Sequence, residues 1–347
     1  MILGLFPDLE ETGGIQTVAR MAWRAVTGDM LLDPNLLFTY GTRGGSSRSS
    51  LAVNVRTRTE ALLRALQLNA ALDIILVGHV GFFKLLPFLK IGNARIVLML
   101  YGIEAWKRHG RWTRKRMSHT DLLVSISDFT WRRFVEHNPE FRGVAHHTVP
   151  PGFGGPVACD VVPADQPVAL MISRLEKTED YKGHREMIAA WPAVLQRNPA
   201  AQLRIVGEGN LRPALEAQTA RLGLKESVRF YGMVSEDRKQ QLLQECRFLA
   251  MPSRCEGFGL VYLEAMRRGR PCLVSPLDAG REVVRPPEAG LAADPRKPTE
   301  LTDAICRLLG AGPEWDQWSQ HARNLYESFY TEEHFKQRFL AVLHSVL

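Results

Sequence analysis

Two consecutive sets of short, solidly apolar runs, each run separated from the next by a longer amphipathic segment, leave this chain few architectures. The first set reads as strands at ILGLF (2–6), NLLFTY (35–40), DIILVG (73–78), RIVLML (95–100), DLLVSI (121–126) and HHTVP (146–150). The second reads as strands at PVALMIS (167–173), QLRIVG (202–207), VRFYG (228–232), RFLAM (247–251), PCLVS (271–275) and GLAA (290–293). A strand buried on both faces shows no polar alternation, and helices between such strands cover both faces of a parallel sheet. The 347 residues suffice for two domains of this kind. The expected fold class is therefore α/β, with two Rossmann-like, doubly wound domains facing a central cleft at their strand carboxyl ends.

The stretch GFGGPVACDVVPAD (152–165) is rich in Gly and Pro and marks the boundary. The expected division is an N-terminal domain over 1–155, a linker over 156–166, and a C-terminal domain over 167–325. A last helix over 326–347 carries Phe335, Phe339, Leu343 and Val346 at helical spacing and is expected to brace the first domain.

Composition narrows the setting. Hydrophobic residues make up 45% and charged residues 23%, which excludes a disordered, collagenous or coiled-coil chain. No apolar run approaches the ~20 residues of a membrane-spanning helix. The opening MILGLFPDLEETGG lacks a basic n-region and a cleavage site, so no signal peptide is expected. Five cysteines (Cys159, Cys246, Cys255, Cys272 and Cys306) with no C-x-x-C spacing fit a reducing cytoplasm better than a disulfide framework or a zinc site. The net charge of +7 is uneven: residues 1–150 hold 19 Lys and Arg against 12 Asp and Glu, and the remainder balances. The first half is thus expected to meet something anionic.

The segment CEGFGLVYLEAMRRGRPCLVS (255–275) carries the most chemistry. Gly257 and Gly259 allow close approach of backbone to a ligand, with Phe258 between them. A helix opening at Leu260 would offer free N–H groups and a positive dipole end to a phosphate. Glu256 in the loop and Glu264 one turn into the helix are acceptors for sugar hydroxyls. The alternative is a plain turn with Glu264 on the surface. In SRLEKTEDYKGHREMIAAW (173–191), Arg174 at a strand end and Lys182 before a helix can point at one spot. Two fixed cations there would stabilise the charge of a departing diphosphate. Ordinary loop cations are the alternative. EETGGIQTVAR (10–20) places Gly13 and Gly14 at a second strand–helix turn suited to an anion.

The pattern E-G-F-G-L-x-x-L-E-A-M-x-x-G-x-P resembles the E-x7-E motif of retaining glycosyltransferases of family 4, which have the two-domain GT-B fold. The resemblance implies that Glu256 contacts the donor sugar, that Glu264 binds the nucleotide's ribose, and that backbone N–H groups near Gly257–Leu260 meet the diphosphate or sugar. It also implies that Arg174 and Lys182 clamp the donor diphosphate and that the Gly13–Gly14 loop lies over the donor phosphates. VGEGNLR (206–212) is similar to the family's G-x-G, with Gly207 shaping the nucleotide pocket beside Met233 and Val234. Arg212 stands where a dinucleotide fingerprint needs its third glycine, which excludes a dehydrogenase. PLDAGREVV (276–284) resembles the loop approaching the donor's base or phosphate, with Asp278 and Glu282 as candidates. Related sequences often carry a catalytic His where Tyr101 stands in YGIEAW. Tyr cannot take its charged role at neutral pH, so His79, at the end of another strand, is the alternative catalytic group, and Glu104 a candidate facing the acceptor. No Asp-x-Asp occurs, so no metal and no cofactor is expected; the nucleotide-sugar is a substrate.

Two basic and aromatic stretches lie in the first half. WKRHGRWTRKRM (106–117) holds seven basic residues, counting His109, around Trp106 and Trp112. GFFKLLPFLK (81–90) combines Phe82, Phe83, Leu85, Leu86, Phe88 and Leu89 with two lysines. They suit an anionic membrane surface or a lipid-diphosphate acceptor; a solvated helix face and a core helix are the alternatives. No nucleic-acid-binding signature accompanies them, and nucleic acid is not expected. The reading as a whole is a retaining hexosyltransferase. It takes a UDP- or GDP-sugar donor and a saccharide acceptor, lipid-linked, and works in the cytoplasm, peripherally on the membrane's cytoplasmic face, in exopolysaccharide or cell-surface glycan assembly. The alternatives are a GT-B enzyme on soluble substrates, such as a nucleotide-sugar epimerase or small-saccharide synthase, and a non-catalytic anionic-lipid or nucleic-acid binding module.

Overall fold

The computed structural model describes residues 1–10, 13–40, 52–68, 71–157 and 162–347. Cys159, Glu11 and Thr12 lie outside the described residues, as does part of the linker. The chain divides into two compact units, Met1–Pro151 with Glu332–Leu347, and Gly152–Thr331.

Unit 1 holds β1 (Ile2–Pro7), β2 (Asn35–Tyr40), β3 (Ala52–Val55), β4 (Ile74–Val77), β5 (Arg95–Leu100), β6 (Leu122–Ser125) and β7 (Ala145–Thr148). Its helices are α1 (Gly14–Thr27), α2 (Arg58–Gln67), α3 (Arg111–Met117) and α4 (Asp128–His137). Unit 2 holds β8 (Val168–Ile172), β9 (Gln202–Val206), β10 (Val228–Gly232), β11 (Phe248–Ala250), β12 (Cys272–Val274) and β13 (Gly290–Ala292). Its helices are α5 (His184–Arg197), α6 (Arg212–Arg221), α7 (Glu236–Glu245), α8 (Leu260–Met266), α9 (Gly280–Val284), α10 (Pro298–Leu309) and α11 (Pro313–Phe329). The last helix, α12 (Glu332–His344), belongs to unit 1.

Each sheet is wholly parallel. The orders are β3-β2-β1-β4-β5-β6-β7 and β10-β9-β8-β11-β12-β13. Both are doubly wound, as expected, and each reverses direction beside its first strand, between β1 and β4 and between β8 and β11. Crevices at the carboxyl ends of such neighbouring strands are where these sheets bind ligands. The central strands are buried along their length, β4 and β6 at every residue and β8 at all but the last. That burial is why they read as solid apolar runs. β3 escapes the apolar-run reading: it is a four-residue edge strand with Asn54 in its middle.

The segment 81–90 is not a single helix. It forms two 3₁₀ turns, Val80–Lys84 and Leu86–Phe88, and Phe82, Phe83, Leu85, Leu86 and Leu89 are all buried. These residues fill the core of unit 1, and only Phe88 among the apolar six faces outward. In α12, Phe335, Phe339 and Leu343 are buried, with the two phenyl rings stacked 5.4 Å apart. The ion pair Arg24–Glu332 (3.1 Å) and the contact of His344 Nε2 with Asp29 Oδ2 (3.2 Å) fasten α12 to the α1 region.

Candidate functional site

The loops that leave β8, β9, β10, β11 and β12 form one hydrogen-bonded collar in unit 2. Ladder-like bonds continue past the strand ends: Ser173 N donates to Val206 O (3.0 Å), Leu175 N to Glu208 O (2.8 Å) and Gly207 N to Gly232 O (2.9 Å). Gly207 has φ 137°, and a Cβ there would lie 1.8 Å from Ser173 O, so only glycine fits. Across the reversal between β8 and β11, Arg254 N donates to Tyr181 O at 2.9 Å. Gly183, with φ 87°, sits under Pro252, whose carbonyl oxygen would be 2.7 Å from an added Cβ.

Within this collar the structure brings Arg174 and Lys182 to one carboxylate. Glu179, on a short 3₁₀ turn between them, takes Arg174 on Oε1 and Lys182 on Oε2, the latter at 2.7 Å. Lys182 and Glu179 are nearly buried (side chains 13% and 12% exposed), whereas Arg174 is 68% exposed. The half-buried Glu256 lies close enough for Lys182 to act on it. Burial raises its carboxyl pKa; Lys182 opposes that, Glu179 adds to it, and the N–H groups of Gly257 and Phe258 draw it down. Burial, then the charges of Glu256 and Glu179, hold the Tyr181 phenol well above its ordinary range. Tyr181 is thus a neutral hydrogen-bond donor beside both carboxylates.

Glu264 lies on α8, where Lys239 of α7 reaches it at 2.5 Å between Nζ and Oε2. The pair is mostly buried, and burial raises the Glu264 carboxyl while Lys239 opposes that shift. Met233 and Val234 follow β10 directly, Met233 exposed. Phe258 is buried edge-on to Tyr330, with ring centroids 6.1 Å apart. Gly259 caps α8 with φ 89°, its α-carbon against the Tyr262 ring, and Leu260 opens the helix.

Asp278 does not face outward as the resemblance implied. It is 1% exposed; its Oδ2 accepts Glu256 N at 3.0 Å and its Oδ1 accepts Gly280 N at 2.9 Å. Ala279 N returns a bond to Glu256 O at 3.1 Å. Asp278 therefore fixes the Glu256 loop from behind. Burial first, then the Glu256 charge, push its carboxyl up to about 8 against the pull of the backbone donors.

In unit 1, Gly13 and Gly14 open α1. Gly13 is extended (φ 166°) and Gly14 stands in open space, so neither needs glycine for its backbone shape. His79 lies two residues beyond β4, at the start of the Val80–Lys84 turn, and accepts Gly81 N on Nδ1 at 3.0 Å, which leaves the proton of the neutral ring on Nε2. Burial, then Lys107, lower its pKa. Tyr101 is buried and its hydroxyl meets Met99 Sδ at 3.4 Å. The Glu104 carboxylate turns inward, accepting Tyr101 N (2.7 Å) and Gly102 N (2.9 Å), and so closes its own loop.

Sequence reasoning singled out Arg174, Lys182, Glu256 and Glu264 but not Glu179, Tyr181 or Lys239, which the structure places beside them. Glu179 stands between two marked cations, and that alternation of charge was the available signal. Lys239 has none: its partner lies on a different helix. Among the described residues no group of three or more His, Cys, Asp or Glu is placed to hold a metal ion, and no helix is long and apolar enough to cross a membrane.

Residues 166–311 match the family described as "Glycosyl transferases group 1". A GDP-mannose-dependent alpha-(1-6)-phosphatidylinositol monomannoside mannosyltransferase of Mycobacterium tuberculosis is 30% identical over 227 residues, 57% of this chain and 58% of that protein. The alpha-D-kanosaminyltransferase of Streptomyces kanamyceticus is 28% identical over 145 residues, 42% of this chain and 37% of that protein. The chain thus spans less than two thirds of the length of either relative. Among solved structures, Anabaena HepE in complex with UDP superposes with TM-score 0.79 at 18% identity, over 99% of both chains. The sucrose-phosphate synthase of Thermosynechococcus elongatus does so with TM-score 0.79 at 18% identity, over 99% of this chain and 98% of that one. The fold is GT-B, and the similarity to the glycosyl transferases group 1 family covers most of its second unit.

Proposed function

We propose that this chain is a retaining family 4 glycosyltransferase that moves a hexose from a UDP- or GDP-sugar to a saccharide acceptor, lipid-linked, without a metal ion. The observation that carries the reading is the meeting of Arg174 and Lys182 at one carboxylate beside Glu256, at the strand reversal of unit 2. In this reading Arg174 and Lys182 bind the donor diphosphate and take up the charge that grows as its bond to the sugar breaks. Glu264, oriented by Lys239, accepts the ribose hydroxyls. Glu256, held by Asp278, accepts a hydroxyl of the donor sugar. The acceptor oxygen attacks the face that the nucleotide leaves, and a donor phosphate oxygen takes its proton. His79, with its Nε2 proton, is the proposed catalytic polar group of unit 1.

The mannosyltransferase relative acts on a phosphatidylinositol mannoside, which supports a lipid-linked acceptor. The basic face of unit 1 supports work at the cytoplasmic face of a membrane, in cell-surface glycan or exopolysaccharide assembly. The test is a thermal-shift panel of UDP-, GDP-, ADP- and TDP-sugars followed by turnover in excess EDTA. A donor should stabilise the protein and be turned over with EDTA present. Arg174→Ala and Lys182→Ala should each lower kcat/KM at least ~100-fold, as for loss of one preorganised charge-stabilising donor. Stabilisation by none of the four sugars would reject the donor site; loss of turnover restored by magnesium or manganese would reject metal independence.

A further inference from the structure

We propose that Glu179 is a positioning residue that aims Lys182 and Arg174 while its charge keeps a bound nucleoside diphosphate releasable. The inference rests on the donor reading above. One carboxylate spans both cations, so the two positive groups lie within reach of a single small anion. The pair is unequal. Lys182 and Glu179 are embedded together, each nearly buried, and Lys182 N also donates to Glu179 O at 3.2 Å, so this half is fixed. Arg174 is exposed and can leave Glu179 for a ligand.

A diphosphate that recruits Arg174 must take it from Glu179 Oε1. It then sits beside a carboxylate that still holds Lys182. Glu179 already engages both Arg174 and Lys182, so the phosphate enters a cluster less positive than those two cations alone would make. Glu179 therefore acts twice: it orients the ammonium for the transition state, and it competes with the product for the guanidinium. A site built only for tight anion binding would leave this carboxylate out.

The experiment compares wild type, Glu179→Gln and Glu179→Asp by calorimetry with UDP, GDP and ADP, and by steady-state turnover. Removing one like charge a few ångströms from the anion should tighten nucleoside diphosphate binding ~5-fold or more in Glu179→Gln. Turnover should fall, so that kcat and Kd drop together. Glu179→Asp keeps the charge and should bind the diphosphate within about twofold of wild type at this level of electrostatic change, with lower kcat from a misaimed Lys182. Affinity in Glu179→Gln equal to or weaker than wild type overturns the proposal. Should that variant not fold, Glu179→Ser removes the same charge and is judged by the same affinity. A wild type that binds none of the three diphosphates overturns the donor reading instead, and the proposal with it.

Discussion

Lys239 Nζ lies 2.5 Å from Glu264 Oε2 and ties α7 to α8 across a mostly buried gap. Lys239 also reaches Glu236 at 3.0 Å, so a single ammonium serves a surface and an inner carboxylate. If Glu264 accepts ribose hydroxyls, Glu264→Ala should weaken nucleoside diphosphate binding by ~1–3 kcal/mol, the scale of lost charged hydrogen bonds. Lys239→Ala should do so as well, and the double variant should cost less than the sum, because the two act as a unit. Calorimetry decides it. Unchanged affinity in Glu264→Ala removes this residue from the nucleotide site.

Gly207 tests the collar itself. Its φ of 137° and the 1.8 Å approach of a Cβ to Ser173 O leave an alanine no place without shifting the β8 loop that carries Arg174. Gly207→Ala should lower unfolding stability by ~2–4 kcal/mol, combining backbone strain with a displaced main chain. Chemical denaturation measures it, and a midpoint unchanged from wild type would show that the loop yields without cost.

Much of this fold was legible because burial on both faces writes itself into the chain as uninterrupted apolar runs, from IILV in β4 to VALMI in β8. β3 was not, because an edge strand need not be apolar. The GFFKLLPFLK stretch misled for the reverse reason: Lys84 inside it and Lys90 at its end make a core segment look like a surface one, and only the fold shows Phe82 and Phe83 turned inward. At the candidate site, residue type and strand-end position marked Arg174, Lys182, Glu256 and Glu264. The groups that orient them are tied by pairing across elements, which leaves no spacing signal. Asp278 is the clearest case, a carboxylate placed correctly in the chain but engaged with backbone rather than ligand.

Stability should fall on mild acidification through His184. The ring is 1% exposed, its Nε2 lies 3.0 Å from Ser173 Oγ, and burial, then Lys182, push its pKa down to about 4. An unfolded chain would take up that proton near pH 6.5, whereas the folded one resists to about 4. The contribution is therefore complete above about pH 6.5 and is lost as pH falls towards about 4, amounting to roughly 3 kcal/mol. His146, also held down to about 4 by burial, adds in the same direction. His184→Gln should remove about one proton's worth of slope, ~1.4 kcal/mol per pH unit, from the unfolding free energy between about pH 6.5 and 4, and leave it unaltered above pH 7. An unchanged slope would mean that His184 titrates normally in the fold.

The charge of unit 1 makes the last prediction. Its basic stretch forms α3, on which Arg111, Lys115 and Trp112 are exposed, the indole 74% exposed, while Lys107 and Arg108 precede the helix and face solvent. Arg114 is partly engaged with Glu140 at 2.7 Å, and Trp106 is buried against Phe129. An exposed tryptophan among cations suits the headgroup layer of an anionic bilayer, where each basic residue contributes ~1 kcal/mol and the attraction is screened over ~8 Å at physiological salt. The chain should therefore sediment with phosphatidylserine-containing vesicles at low salt and detach as salt rises. Replacing Arg111, Lys115 and Arg116 with Ser should release it, and Trp112→Ser should weaken it with little change in salt dependence. Both variants should keep their affinity for nucleoside diphosphate, because none of its proposed ligands lies on α3. If wild-type protein stays in the supernatant at low salt, the membrane reading fails and a soluble acceptor takes its place.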